Sequence, residues 1–169
     1  MNPAQLIHQD SGNQEWMTPQ FVIECARGVL GVIDLDPASS ALANERVIAC
    51  RYFDKETDGL NQEWFGRVFL NHPFGRHSNP DWISKFVGEY DSGRVDEAIN
   101  ICFAATSEGW FAPLMRYPQC YLRPRTQYVL PNGETARGVT KGSVVTYLGP
   151  NVDRFFEVFR ARGACVRPA

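Results

Sequence analysis

Asn71-His72-Pro73-Phe74 stands directly after the apolar run Arg67-Val68-Phe69-Leu70 and directly before Gly75-Arg76. A β-branched and aromatic run reads as a buried strand, and the proline and glycine behind it mark its end. The strand therefore delivers a carboxamide, a proline and an aromatic ring to its carboxyl end, the edge at which open α/β sheets bind ligands. Asn71 brings an acceptor oxygen, Pro73 fixes the backbone and removes an N–H, and Phe74 offers a flat face. That set suits a planar ring carrying an exocyclic amine.

A second stretch with chemical potential lies upstream, Asp34-Leu35-Asp36-Pro37-Ala38-Ser39, at the end of another short apolar run. Neither a Gly-x-Gly-x-x-Gly turn nor a P-loop is present. Phosphate needs bare backbone N–H groups without a carboxylate beside them. Acid next to small residues suits a ligand with cationic amino and sulfonium groups and no phosphate, and S-adenosylmethionine fits that description. Taken alone, the stretch reads equally as a strand followed by an Asx-type turn.

The order of segments resembles that of phage-type DNA adenine methyltransferases of the Dam class, a group of amino-group methyltransferases. In that family a Trp-x-Thr-Pro element comes first, then Asp-Leu-Asp-Pro-Ala-Ser, then Asp-Gly-Leu, then Asn-Pro-Pro-Tyr/Phe. Here these stand as Trp16-Met17-Thr18-Pro19, Asp34 to Ser39, Asp58-Gly59-Leu60 and Asn71 to Phe74. Arg51-Tyr52-Phe53, Trp64-Phe65-Gly66-Arg67 and Gly149-Pro150-Asn151 are also similar to the family's text. The resemblance implies S-adenosylmethionine as cofactor, DNA as partner, and an origin in a phage or prophage acting in the bacterial cytoplasm. It further implies that Trp16, Thr18 and Pro19 lie along the methionine part. The turn with Asp34, Asp36, Pro37 and Ser39 would hold the amino-acid and ribose end, and Asp58 would accept a hydrogen bond from the cofactor's adenine amine. Each has a plainer reading: Trp16 as core, Thr18 as a helix cap, Asp58 as a turn residue.

An adenine N6 amine has its lone pair delocalised into the ring and is a poor nucleophile. Two acceptors aimed at its hydrogens favour a tetrahedral nitrogen whose lone pair can attack a methyl group. The Asn71 side-chain oxygen would be one and the main-chain carbonyl of His72 the other, kept in place by Pro73. Phe74 would stack on the base once flipped out of the helix, since an amine inside a duplex is out of reach. Catalysis then rests on positioning and charge complementarity without a covalent enzyme intermediate. The same four residues serve cytosine N4, so the two amines stay open at this point. His72 departs from the family's usual second proline, which leaves open either a tolerated change at a main-chain position or a chain that binds without transfer. His72 with His77 and Asp81 matches no zinc spacing, so no metal site is expected, although a metal-dependent nuclease built on His72 and His77 is a third alternative.

These residues need an α/β frame. Residues 1–12 are polar and unpatterned and read as a flexible arm, and 13–169 reads as one methyltransferase domain. Helical spacing covers 20–30, with Thr18 as N-cap, Pro19 at the first helical position and Gly31 as the stop. Strands are expected at 32–35, 47–53, 67–70, 98–104, 119–123, 127–130 and 143–148, and helices at 38–46, 81–90, 106–115 and 153–162. Alternating strands and helices up to Met115 imply a parallel sheet, with antiparallel carboxyl-terminal strands at its edge. With the resemblance, the expected fold is the class I, Rossmann-like sheet of S-adenosylmethionine-dependent methyltransferases.

A length of 169 residues fits one domain. No apolar run approaches the roughly 20 residues of a membrane span, nor does the start have a signal peptide's pattern, so a soluble intracellular protein is expected, monomeric or homodimeric. Five cysteines without Cys-x-x-Cys spacing fit reduced thiols better than a disulfide frame or structural zinc. The net charge of −2 conceals an acidic front and a basic end beyond Ala112. Arg123, Arg125 and Lys141 in a hairpin region near 119–142, with Arg76 and His77 after the Asn71 segment, are the expected DNA contacts. So short a chain leaves little room for a separate recognition domain, and a short or relaxed target sequence is expected.

Overall fold

A computed structural model describes residues 16–169; the expected arm at 1–12 lies outside them. The described residues form one seven-stranded sheet: β1 (Leu35–Asp36), β2 (Arg51–Tyr52), β3 (Gly66–Leu70), β4 (Val95–Phe103), β5 (Gln119–Leu122), β6 (Ser143–Leu148) and β7 (Gly163–Val166). Their spatial order is β2-β1-β3-β4-β6-β5-β7. β2, β1, β3 and β4 pair in parallel, whereas β6 pairs antiparallel with β4 and β5, and β7 antiparallel with β5. The expected α/β class with antiparallel carboxyl-terminal strands is thus present. No helix among the described residues is long and apolar enough to cross a membrane.

Strand alternation feeds a core on each face of the sheet. Phe69, Ile99, Ile101, Val145 and Tyr147 point to the face covered by α1 (Gln20–Leu30) and α4 (Val152–Phe159). Val68, Leu70, Ala98, Cys102, Val144 and Leu148 point to the other, where Trp82, Ile83, Phe86 and Val87 of α3 (Asn79–Asp91) lie. Helix α2 (Ala41–Val47) bridges β1 and β2, its first turn capped by the Ser40 hydroxyl accepting from the Ala43 N–H at 3.1 Å.

Several expected boundaries move for physical reasons. α1 spans the expected residues and ends at Gly31, whose φ of 78° lets its N–H reach the Arg27 carbonyl at 2.7 Å. Its N-cap, however, is Pro19, with no side-chain cap; the Thr18 hydroxyl accepts from Asn71 instead. α2 starts later than expected because Pro37-Ala38-Ser39 stays in the turn, and it takes Val47 from the expected second strand, which shrinks to Arg51–Tyr52. The expected helix at 106–115 reduces to a short 3-10 turn, Ala112–Arg116, as Gly109 and Pro113 make poor helix. The expected strand at 127–130 is no continuous strand: Val129 bridges Met17 on one side and Thr135 on the other. α4 ends at Phe159, and the chain adds β7, unforeseen, as an edge strand on β5.

The loop between β2 and β3 is pinned onto the β1 turn at Gly59. Trp64 Nε1 donates to the Gly59 carbonyl at 2.8 Å, and a Cβ on Gly59 would lie 1.9 Å from the Pro37 carbonyl oxygen. Gly59→Ala is expected to lower the free energy of unfolding by about 2–4 kcal/mol, read from urea midpoints, because backbone must move to admit the methyl group.

Candidate active site

β1 stands between β2 and β3, so the chain leaves it towards one side and later returns to the other. Beyond the carboxyl ends of β1 and β3 this reversal leaves a crevice, the usual ligand position in such sheets. A cleft of about 610 Å³ opens there, within the size range of small-molecule sites. It is lined by Trp16, Met17 and Thr18, by the turn Asp36 to Ser40, by Asp58, Gly59 and Leu60, and by Asn71 and Pro73. All four segments singled out in the sequence therefore meet at one cavity.

Asn71 is the best-defined group in it. Its Nδ2 donates to the Trp16 carbonyl at 2.8 Å and to the Thr18 hydroxyl at 2.9 Å. Two acceptors fix which end of the carboxamide is nitrogen. The Oδ1 on the other side is buried and has no hydrogen-bond partner among the described residues. An unpaired buried acceptor costs about 1–3 kcal/mol, and native structures rarely retain one without a use.

His72 turns its side chain inward, away from the cleft, and is 1% exposed. Its Nε2 lies 2.9 Å from Asn79 Oδ1 and its Nδ1 3.3 Å from Asn100 Nδ2. Burial pushes the imidazole down to about 4, against the smaller opposing effect of the Asn79 contact. The ring is neutral at neutral pH and out of reach of base or phosphate. Pro73 lines the cleft. Phe74 is half-buried beside it, packed on Phe103 with centroids 4.6 Å apart and edge-on to Tyr128 at 5.3 Å. Trp16 stacks on Tyr128 at 5.6 Å and meets Phe74 edge-on, so the aromatic group joins the first described residue to the carboxyl-terminal part.

Asp36 is 3% exposed and has no cationic partner among the described residues; its Oδ1 accepts from the Ala38 N–H at 3.2 Å. Desolvation pushes its carboxyl up to about 7, outweighing that contact and one from Ser39. Asp58 sits at φ 48° and caps the short 3-10 turn Gly59–Asn61, accepting from the Leu60 N–H at 3.2 Å and from Asn61 Nδ2 at 2.6 Å. Its plain turn role and its place on the cleft wall thus coexist.

Two of the expected cofactor contacts are not on that wall. Asp34 pairs with Arg67, accepting from its main-chain N–H at 2.8 Å and its Nε at 2.9 Å. The Arg67 hydrogen bonds hold its carboxyl below the usual range. It ties β1 to β3, two residues back from the ligand edge. Pro19 serves as the N-cap of α1. Arg76 and His77 are exposed on the loop after Phe74, as are Arg123, Arg125 and Lys141 further on. Lys141 lies over the Phe103 ring at 5.6 Å, which puts a cation beside the aromatic group. Arg125 and Arg137 line a second, polar cavity of about 800 Å³. The alternative built on His72 and His77 finds no support in their placement, since one ring is buried and the other exposed. Among the described residues no group of three His, Cys, Asp or Glu could hold a metal ion.

Sequence reasoning missed Trp82, which lines the cleft, and Asn79 and Asn100, which grip His72. Asn100 carried a signal: it is the one polar residue between Ala98 and Ala104.

A family model described as DNA N-6-adenine-methyltransferase (Dam) matches residues 7–150. The chain belongs to this family. No curated protein matches the chain. Membership in the Dam family makes the chain a DNA adenine methyltransferase and separates the two amines that Asn71 to Phe74 alone left open. The seven-stranded sheet is accordingly a Rossmann-like methyltransferase sheet.

Asp36 gives the ligand-free Dam-family chain a pH signature. Its carboxyl holds a proton up to about 7 when folded but only to 3.8 as a free group. Its contribution is full below the lower value and is lost as pH rises through the upper one. Relative to Asp36→Asn, the unfolding free energy of the wild type is expected to fall by about 3–4 kcal/mol between pH 4 and pH 7, measured by urea unfolding at each pH.

Proposed function

We propose that the chain transfers the methyl group of S-adenosylmethionine to the N6 amine of an adenine flipped out of DNA into the cleft beside Asn71. The carrying observation is the orphaned Asn71 Oδ1, an acceptor with nothing to accept from, held rigid through its own nitrogen. The His72 carbonyl likewise accepts no hydrogen bond among the described residues. Both acceptors point to an incoming donor with two hydrogens.

The cleft suits the cofactor by its chemistry. Asp36 is a buried carboxyl group without a cationic partner among the described residues, and a cationic ligand would favour its ionised form. Asp58 on the same wall would accept from the ligand's adenine amine, Pro37 and Ser39 would border its amino-acid and ribose end, and Trp16 and Thr18 would flank the methionine part. S-adenosylmethionine supplies a methyl group on a sulfonium, and transfer leaves a neutral thioether as the N–C bond forms. Asn71 and the His72 carbonyl draw on the amine's hydrogens, which localises the nitrogen lone pair towards the methyl group. Pro73 fixes the carbonyl next to it. Phe74, with Phe103 and Tyr128 behind it, gives the flipped base a flat partner. The surplus amine proton passes to solvent with no covalent bond to the chain.

Arg123, Arg125 and Lys141, with Arg76 and His77, would hold the DNA backbone around the flipped nucleotide. Their exposure and the cation placed beside Phe103 support this reading.

Asn71→Ala is expected to lower methyl transfer at least a hundredfold, while heat released by the cofactor in calorimetry gives a Kd within about threefold of wild type. Comparable transfer of radiolabelled methyl groups to DNA by Asn71→Ala would reject the mechanism. Replacing Arg123 and Arg125 by Ala should weaken DNA binding and reduce the slope of log K against log salt by roughly 1–2, as measured by anisotropy titrations at several salt concentrations.

A further inference from the structure

Residue 72 has to present a main-chain carbonyl in one orientation, and a histidine does not restrict its own backbone as a proline would. Pro73 restricts residue 72 from the far side, and a second restraint has to come from the His72 side chain. The His72 ring is tilted over Trp82 with centroids 6.5 Å apart and an interplanar angle of 28°, and meets Phe74 edge-on at 5.7 Å and 89°. These rings limit where the imidazole can lie but not how it rotates. Its two nitrogens settle that.

Asn100, fully buried in β4, donates from Nδ2 to the Leu70 carbonyl at 3.1 Å. A carbonyl only accepts, so that end of the carboxamide is nitrogen. The same Nδ2 faces His72 Nδ1 at 3.3 Å, so Nδ1 must be the acceptor. A neutral ring then carries its proton on Nε2, which donates to Asn79 Oδ1 at 2.9 Å. One amide comes from the middle of the sheet and the other from the first residue of α3. Each contact has one direction only, and together they fix the ring, hence the backbone to which it is attached. Asn100 also grips Leu70, the residue before Asn71, so both acceptors are referenced to a single side chain. Its own Oδ1 is buried without a partner. A hydrophobic residue would fill that place without this cost, so what Asn100 contributes lies in its nitrogen.

We infer that His72 is a positioning residue: its Nε2–H tautomer, clamped between Asn79 and Asn100, orients the residue 72 carbonyl that receives the target amine, doing by side chain what proline does by ring closure. The inference rests on the acceptor reading given under Proposed function, and the experiment separates the two.

Asn79→Ala removes one jaw of the clamp at the surface end. It is expected to lower kcat for methyl transfer by 10- to 100-fold, with KM for DNA and cofactor Kd within about twofold. In a His72→Pro chain the carbonyl no longer depends on the clamp, so the same Asn79→Ala change should lower kcat by less than twofold. An equal loss in both backgrounds would overturn the inference, as would a rise in KM with kcat unchanged. Nitrogen-15 spectra of the wild-type imidazole at neutral pH give a readout independent of activity. A protonated Nε2 with a bare Nδ1 is expected; the reverse tautomer, or exchange between the two, would overturn it. Should the wild type transfer no methyl group while its spectrum shows the Nε2–H form, the functional reading fails and the clamp stands.

Discussion

The arrangement depends on one carboxamide being held by the wrong end. Asn71 spends its nitrogen on the Trp16 carbonyl and the Thr18 hydroxyl, both contributed by the segment before α1, and leaves its oxygen unpaired. Had the amide been free to rotate, water or a neighbouring N–H would take the oxygen, and an entering amine would first have to displace it. Here the orientation is decided before any ligand arrives, so the reorganisation is done during folding. The same bonds tether the amino-terminal segment across the mouth of the sheet. The Thr18 hydroxyl is turned to Asn71, and α1 starts on Pro19 without a side-chain cap.

The cleft around that carboxamide is biased towards positive ligands by burial more than by charge. Asp36 has no cationic partner among the described residues, and desolvation raises its carboxyl to about 7. On the proposed function, a bound sulfonium or ammonium group would restore the charged form, which would link cofactor binding to proton release through this residue. Its neighbour in the sequence, Asp34, meets a different fate because Arg67 lies across β3. Two acids in one motif thus divide into a strand clamp and a group on the cleft wall.

That division shows where sequence is legible. Asn71 to Phe74, Asp36 to Ser39 and Asp58 to Leu60 could be found because turn chemistry is local: proline, glycine and aspartate specify a chain reversal within a few residues. Helix α1 and strand β6 were readable for a similar reason, one by its helical apolar period and the other by its β-branched run. What failed was non-local. Asp34 lies two residues, roughly 7 Å, back along the strand from the sheet's edge, and only the neighbouring strand decides that Arg67 takes it. The pairing of Val129 with Met17, and β7 as a partner for β5, likewise rest on contacts far apart in the chain.

Asn71 and Asn100 are a matched pair with unlike consequences. Each is an asparagine whose nitrogen is committed to main-chain or side-chain acceptors and whose oxygen is left unpaired. A fold under selection for stability alone would not keep two such oxygens one strand apart, since a leucine or valine at Asn100 would suit the surrounding β4 core. Asn71 lines the cleft, where on the proposed function a ligand donor would satisfy its oxygen. Asn100 is sealed in the sheet with 0% exposure, so no ligand reaches it, and its deficit is permanent. Only its nitrogen, shared between Leu70 and His72 on either side of Asn71, gives a return on that deficit. On the inference above, the unpaired oxygen inside the sheet is the cost of keeping Asn71 and the residue 72 carbonyl in register.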